Sequence, residues 1–478
     1  MKISEIYNLN KNQFQLDFVD IDVDTDIPLF LDSNLIRNSE GEFYQQMKNT
    51  MDSFFTDLIN LLSNSLYDDA KYMCSHLGEI NETHLGLSKA ESRGRGVGPK
   101  NSEKIFDALK KNEAIKVGFL ENIEDLRVLV EGLDKDMLSD MLTNILKKYL
   151  IIYTKEQCQL NNIPLTDNVS TGVYWNGFKH EWETVYDSRL IIDGKPVLLV
   201  PKRIVSFCLE GSSEKYRQHF VLNFLQDLNI KNRTPLVRKR KKSGQLFVTK
   251  RSIKDSEPPM NKDYLTRFTL KYPEVLQRFK ENNKHKINTL SGDLFNNINI
   301  NEICQILLES LKEINSGNED ASKYHNLMVG IYEFLLYSKL TNPKKETPIN
   351  EGRKRIDISF MNSSNSGIFT WIPEKAKIHC PYVFIECKNY SREVANPELD
   401  QMIGRFSYQK GRLGIISCRT IDDEDLFLKR CSDSYVAGHG LIIPITDSDI
   451  IRSLAKNEKC SEEFEQILIE KIDKIILT

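Results

Sequence analysis

The sequence predicts an α+β protein whose C-terminal half builds one α/β sheet with helices on its faces. Three observations predict it. Apolar residues recur at three- and four-residue steps in several long segments, the period of an amphipathic helix. Between those segments lie short alternating or continuous apolar runs bounded by turn residues, the pattern of strands. Two of these runs carry charges where a core strand would hold apolar groups: Ile356-Asp357-Ile358 and Ile385-Glu386-Cys387-Lys388.

The chain has 478 residues and a net charge of −3, with 40% hydrophobic and 28% charged residues. That length suits roughly two to four domains, and the composition is that of a globular chain. A charge so near balance means that any nucleic-acid surface is local. No apolar run approaches the roughly 20 residues of a membrane span. The start, Met1-Lys2-Ile3-Ser4-Glu5, lacks the apolar core of a signal peptide. Nine cysteines stand singly without a CxxC pair, and eight histidines form no HExxH motif. Reduced thiols in a cytoplasmic setting fit this better than disulfides or a zinc cluster.

Residues 1–230 are expected to form an α+β N-terminal region. Val19, Ile21 and Val23 alternate with Asp20, Asp22 and Asp24, which predicts a half-buried strand with a solvated acidic face. Phe43, Met47, Met51, Phe54, Leu58 and Leu62 make one helical stripe. The stretch from Arg93 to Gly98 alternates Arg93 and Arg95 with Gly94, Gly96 and Gly98 before a helical pattern. It is either a flexible loop or an anion contact, since glycines let backbone N–H groups approach an anion at a helix start. A helix follows over 134–150, with Asp140 and Asn144 on a solvated polar face. Asp193-Gly194 between two apolar runs predicts a β-hairpin. A helix near 213–228 closes this half. It shows no catalytic constellation, so a sensing or specificity role is expected by elimination.

Residues 231–262 are read as a basic linker. Arg238, Lys239, Arg240, Lys241 and Lys242 lie in a stretch free of acids. Such a run attracts phosphate backbones through counterion release. The alternatives are a solvated linker or a short β-ribbon carrying Leu246, Phe247 and Val248. Residues 263–478 are read as one domain, helical to about residue 318.

That domain holds the chemistry. A helix over 322–340 is apolar nearly all round and carries one charge, Glu333. A buried carboxylate needs a partner or a metal. Alternation along strands puts Glu386 and Lys388 on one face, with Cys387 on the other. Carboxylate oxygens suit Mg²⁺ or Mn²⁺, and a lysine beside the metal can orient or deprotonate water. The connection from Phe360 to Cys380 predicts a turn and an extra strand around Trp371. Asn396-Pro397-Glu398 is a helix start, with Asn as cap and Pro at the first turn. Gln401 and Arg405 share a face of that helix. Leu413–Ser417 and Gly440–Pro444 supply further strands.

Asp357 followed by Glu386-x-Lys388 resembles the PD-(D/E)xK, or restriction-endonuclease-like, nuclease superfamily, over about residues 320–445. The order helix, two strands, strand with ExK, helix, strand is similar to its αβββαβ core, a central mixed sheet flanked by helices. The resemblance implies a metal-dependent nuclease. Asp357 and Glu386 would hold the metal, with the backbone carbonyl of Cys387 as a further ligand and Lys388 at the water. Glu333 and Gln401 match acidic and glutamine positions that support such sites. Arg405 would contact the scissile strand. Ile356 stands where the family often has proline. The resemblance also implies double-stranded DNA as the favoured partner, a homo-oligomer for cutting both strands, and a place among bacterial anti-phage or restriction effectors. The rival readings are a non-catalytic nucleic-acid-binding or scaffold protein on the same fold, and a nuclease gated by a ligand of the N-terminal region.

Overall fold

In the computed structural model, the described residues are 1–86, 99–120, 122–206, 212–240, 244–284, 300–345, 358–390, 394 and 396–477. Their fold is α+β and is organised by two apolar cores. One gathers residues from Ile3 to Phe279, together with Met361. The other gathers Leu160 and residues from Ile303 to Ile475.

The second core is built on a five-stranded sheet. Its strands are β1 (Leu340–Lys345), β2 (Ile358–Asn362), β3 (Tyr382–Lys388), β4 (Leu413–Cys418) and β5 (Leu441–Thr446), adjacent in that order. The pairs β1–β2 and β2–β3 are antiparallel, and β3–β4 and β4–β5 are parallel. The sheet is therefore mixed, with β3 at its centre. Proline lacks the N–H that a central strand must donate. Pro343 and Pro444 accordingly fall on the two edge strands, β1 and β5. Parallel strands need long crossovers, which helices Asn396–Ile403 and Glu424–Val436 provide. Helix Ala321–Leu336 precedes the sheet, as its apolar run predicts. The expected strand around Trp371 is instead a short helix, Ile368–Glu374, which buries Ile368, Phe369 and Ile372.

The hairpin forms as the sequence predicts. Strands Tyr186–Ile192 and Lys195–Val197 pair across Asp193 (φ +50°) and Gly194 (φ +74°), the left-handed conformations of a tight hairpin turn. The acidic segment departs from expectation. It makes isolated bridges rather than a strand, Phe18 with Pro201 and Asp22 with Lys2. Its acids are not all solvated either: Asp17 and Asp20 are buried, and Asp20 accepts from the Ser4 hydroxyl at 2.6 Å. The helix predicted over 134–150 runs from Lys135 to Asn161. Its expected solvated face is an inward one. Asn144 donates to Gly78 O at 2.7 Å, and burial beside Asp136 and Glu79 pushes the Asp140 carboxyl up to about 8.

The domain boundary also moves. Helices Lys250–Ser256, Lys262–Lys271 and Pro273–Lys284 pack into the first core through Ile253, Leu265, Phe268 and Phe279. Lys262 Nζ donates to Val130 O and Leu133 O at 2.8 and 2.9 Å. Residues 231–284 thus belong with the N-terminal region. Of the basic run, Arg238 and Lys239 sit on a short surface ribbon paired with Leu246–Phe247, the alternative that the sequence offered, followed by buried Val248.

Candidate active site

Glu386 and Lys388 lie on β3, the central strand, and each is only 2% exposed. That excludes an exposed strand-edge pair. A charge so deep requires a charged or hydrogen-bonding partner. Lys388 Nζ contacts Glu386 Oε1 directly, and Arg405 Nη1 stands 3.3 Å from Glu386 Oε2. Lys388 Nζ also donates to Gln401 Oε1 at 3.0 Å and lies 5.6 Å from the ring centre of Tyr390.

Simple geometry brings these groups together. Helix Asn396–Ile403 leads from the end of β3 back to the start of β4, so it runs opposite to the strands. Four helical residues advance about 6 Å and two strand residues about 6.6 Å. Gln401 therefore meets Lys388, and Arg405, in the turn after the helix, meets Glu386. Gly414 on β4 sets the distance. A Cβ there would stand 2.5 Å from Met402 Sδ and 2.8 Å from its Cγ, so a larger residue would have to displace the Met402 side chain that the helix lays on the sheet.

The back of β3 is apolar and inert. The desolvated Cys387 thiol is pushed up in pKa and acts electrostatically on the Tyr324 and Tyr332 hydroxyls, on the helix Ala321–Leu336 side. This agrees with a cysteine that faces away from the charged side. Asn389, which sequence reasoning missed, anchors the strand end. Its Nδ2 donates to Asn315 O and Gly317 O at 2.9 and 2.8 Å. Its only sequence signal was a polar residue just past a strand, and Tyr390 gave none.

Two expected members stand differently. Glu333 does not join Lys388. Its Oε1 lies 2.9 Å from Lys202 Nζ, with both side chains buried. Burial, opposed by Lys202, pushes the Glu333 carboxyl up to about 7. Asp17, which accepts from Tyr153 Oη at 2.7 Å, belongs to the same cluster. The physical reason is helix phase: Tyr332 faces the sheet, so its neighbour Glu333 faces the N-terminal region. Arg405, expected on a substrate strand, is held on Glu386 instead. The sequence offered no sign of Lys202 or Asp17 as partners, because the joint closes over more than 130 residues.

Asp357 lies outside the described residues, as do Arg93, Gly94, Arg95, Gly96, Gly98, Lys241 and Lys242. Its successor Ile358 pairs with Ile385, the residue before Glu386. Arg238, Lys239 and Arg240 are exposed, and the Arg240 guanidinium sits 5.6 Å from the Phe247 ring centre. Among the described residues no group of three or more His, Cys, Asp or Glu is arranged to hold a metal, and no helix is long and apolar enough to cross a membrane. Mg²⁺ usually takes only one or two protein carboxylates, the remainder being water and phosphate oxygen. Glu386 is a carboxylate of the kind such an ion takes, and its two oxygens face Lys388 and Arg405.

Residues 8–210 are similar to a family described as a domain of unknown function (DUF8370). The similarity covers less than half of the chain and ends before the sheet that carries Glu386. Comparisons with curated proteins and with solved structures find no match.

Proposed function

We propose that this chain is a cytoplasmic, Mg²⁺- or Mn²⁺-dependent nuclease of the PD-(D/E)xK kind, acting on double-stranded DNA as part of defence against foreign DNA. The observation that carries this reading is the Lys388 ammonium, buried at the end of the central strand between Glu386 and Gln401. The element order before and after it, and the register that sets Ile358 beside Ile385, support it further. The ion, held by Asp357 and Glu386, would supply a nucleophilic water at neutral pH and neutralise phosphate charge. Gln401 Oε1 and Glu386 Oε1 engage two of the ammonium's three N–H groups, which leaves one for a water or a phosphate oxygen. The Tyr390 ring stands 5.6 Å from the ammonium. Arg405 holds the Glu386 carboxylate in place. The ribbon of Arg238, Lys239 and Arg240 would add sequence-independent backbone contacts, and a homo-oligomer would cut both strands.

The test is a cleavage panel of plasmid, linear DNA, single strands and RNA, with Mg²⁺ or with EDTA, for wild type, Asp357→Ala and Lys388→Ala. Metal-dependent cleavage lost in both variants is expected. Cleavage by Lys388→Ala at the wild-type rate would sink the proposal. One observation favours the second reading, a non-catalytic binding protein: Glu386 already carries two cations. A binder would retain DNA equally well in Mg²⁺ and in EDTA and cut nothing.

A further inference from the structure

Two buried thiols meet where helix Ile300–Glu313 crosses the start of helix Cys460–Leu477. Cys304 lies on the buried stripe of the first helix, and Cys460 is the first residue of the second. One carbonyl oxygen joins them. Asn457 O accepts from Cys460 N and lies 3.9 Å from Cys304 Sγ. The two sulfurs also hydrogen-bond to each other, Cys304 donating and Cys460 accepting. Both residues belong to the second core, and neither is bridged. The whole five-stranded sheet lies between them in the chain.

The surroundings give the two sulfurs different chemistry. Cys460 Sγ accepts from the Cys304 thiol and from the Ser461 hydroxyl and backbone N–H, at the first turn of a helix. These donors hold the Cys460 thiol below its ordinary pKa, while the same bond and burial push Cys304 up. The other described cysteines, Cys74, Cys158, Cys380, Cys387, Cys418 and Cys431, are all pushed up by burial. Thiolate, not thiol, is the nucleophile. Cys460 is therefore the described thiol poised to attack, with a second thiol already on it to resolve the product.

We propose that Cys304 and Cys460 are an oxidation site that closes to a reversible disulfide and ties helix Ile300–Glu313 to helix Cys460–Leu477. The oxidant is hydrogen peroxide, small enough to reach a buried sulfur. The Cys460 thiolate attacks one peroxide oxygen. An S–O bond forms, the O–O bond breaks, and the departing hydroxide takes up the proton that Cys460 gave up, as water. Cys304 then attacks the sulfenic sulfur. The S–S bond forms, the S–O bond breaks, and the Cys304 proton leaves with the hydroxide as a second water. The two thiols lose two electrons and the peroxide gains two. The bond closes the chain from Cys304 to Cys460 into a loop that holds β1 to β5, which restricts the unfolded state. A transient bridge of this kind suits a chain whose thiols otherwise stay reduced. The proposal does not rest on the nuclease reading.

Peroxide treatment of the reduced full chain, followed by N-ethylmaleimide and peptide mapping without reductant, tests it. The chain should lose the mass of two hydrogens and two of its nine titratable thiols. A peptide joining Cys304 to Cys460 should appear, and dithiothreitol should reverse all three changes. The oxidised chain should unfold at a temperature higher by roughly 5 °C or more, since the bridge closes a long loop. Cys304→Ser removes the resolving thiol, so peroxide should leave Cys460 as a sulfenic acid that dimedone captures, whereas Cys460→Ser should leave Cys304 unmodified. No Cys304–Cys460 peptide, a first bridge formed elsewhere, or an unfolding temperature that does not rise overturns the proposal. So does a dimedone adduct on Cys304 in Cys460→Ser, or none on Cys460 in Cys304→Ser.

Discussion

Replacing Lys202 with methionine should destabilise the protein in a way that depends on pH. Lys202 Nζ lies 2.9 Å from Glu333 Oε1, donates to Leu16 O at 2.7 Å and sits 4.1 Å from the Tyr337 ring centre. Methionine fills a similar volume but leaves two buried carboxylates, Glu333 and Asp17, without their cation. Breaking a buried pair this way costs about 3–5 kcal/mol. The carboxyls decide when that cost appears. The folded-state pKa of Glu333, about 7, lies above its ordinary 4.5. Its contribution to stability is therefore full below about pH 4.5 and is lost as pH rises through 7. Asp17 is displaced in the same direction. Without Lys202 the Glu333 pKa climbs further, and the loss continues above pH 7. At pH 5.5 Glu333 holds its proton in both proteins, and the cost falls to about 1–2 kcal/mol from the orphaned Leu16 carbonyl and the lost ring contact. Urea unfolding followed by tryptophan fluorescence at pH 5.5 and 8.5 reads this directly. An equal destabilisation at both pH values would refute the reasoning, since it would show that Glu333 does not titrate against Lys202.

Three further outcomes are expected. On the proposed nuclease reading, Gly414→Val should push helix Asn396–Ile403 off the sheet through Met402, break the Lys388–Gln401 bond, and lower the cleavage rate more than the affinity for DNA, read as kcat against KM. Asp140→Asn should leave stability unchanged near pH 4 and raise it by roughly 1–3 kcal/mol at pH 9. The raised folded pKa of about 8 means that the wild type loses stability as pH rises through it, and asparagine removes that loss while retaining an acceptor for the Ile80 N–H. Gly194→Ala should cost about 1 kcal/mol in thermal unfolding, because an alanine is strained at φ +74°.

The parts of the fold legible in the sequence are those fixed by local periodicity. The stripe from Phe43 to Leu62, the Asp193-Gly194 turn and the Asn396-Pro397-Glu398 start each specify their own element, and each element forms, the last with Asn396 as the first helical residue rather than the cap. The errors share one cause: long-range contact overrode local pattern. The segment around Asp20 alternates as a strand would, but Gln13 and Ser4 take its hydrogen-bonding groups and leave it irregular. The stretch near Trp371 is rich in β-formers, yet Asn362 Nδ2 donates to Phe369 O and the Glu465 carboxylate caps Ile368 N, which favours a helix there. In the site, period-two alternation put Glu386 and Lys388 on one face, and the four-residue step put Gln401 and Arg405 on another. That these two faces meet was not legible, because Gly414 and the direction of the crossover decide it. Glu333 failed for the opposite reason. Its burial was legible, but a buried carboxylate does not announce its partner.

That partner changes what the N-terminal region is to the sheet. Helix Ala321–Leu336 presents Tyr324 and Tyr332 to the back of β3 and β4, and Tyr324 Oη donates to Asp447 Oδ1 at 2.8 Å. Its other side presents Glu333 to Lys202 and Asp17, while Phe334 packs edge-on against Phe14, ring centres 6.1 Å apart. Arg203 continues the joint by donating to Ser363 O at 2.9 Å, and Gln157 by donating to Pro343 O at 3.1 Å. Buried charges tolerate little displacement, since separating them exposes each to the full cost of desolvation. The DUF8370-like segment is thus bolted to the sheet through helix Ala321–Leu336 and through backbone carbonyls on β1 and just after β2. A motion within that segment either leaves this joint intact and the sheet unmoved, or breaks it at a cost of several kcal/mol; a loosely tethered domain would have no such threshold.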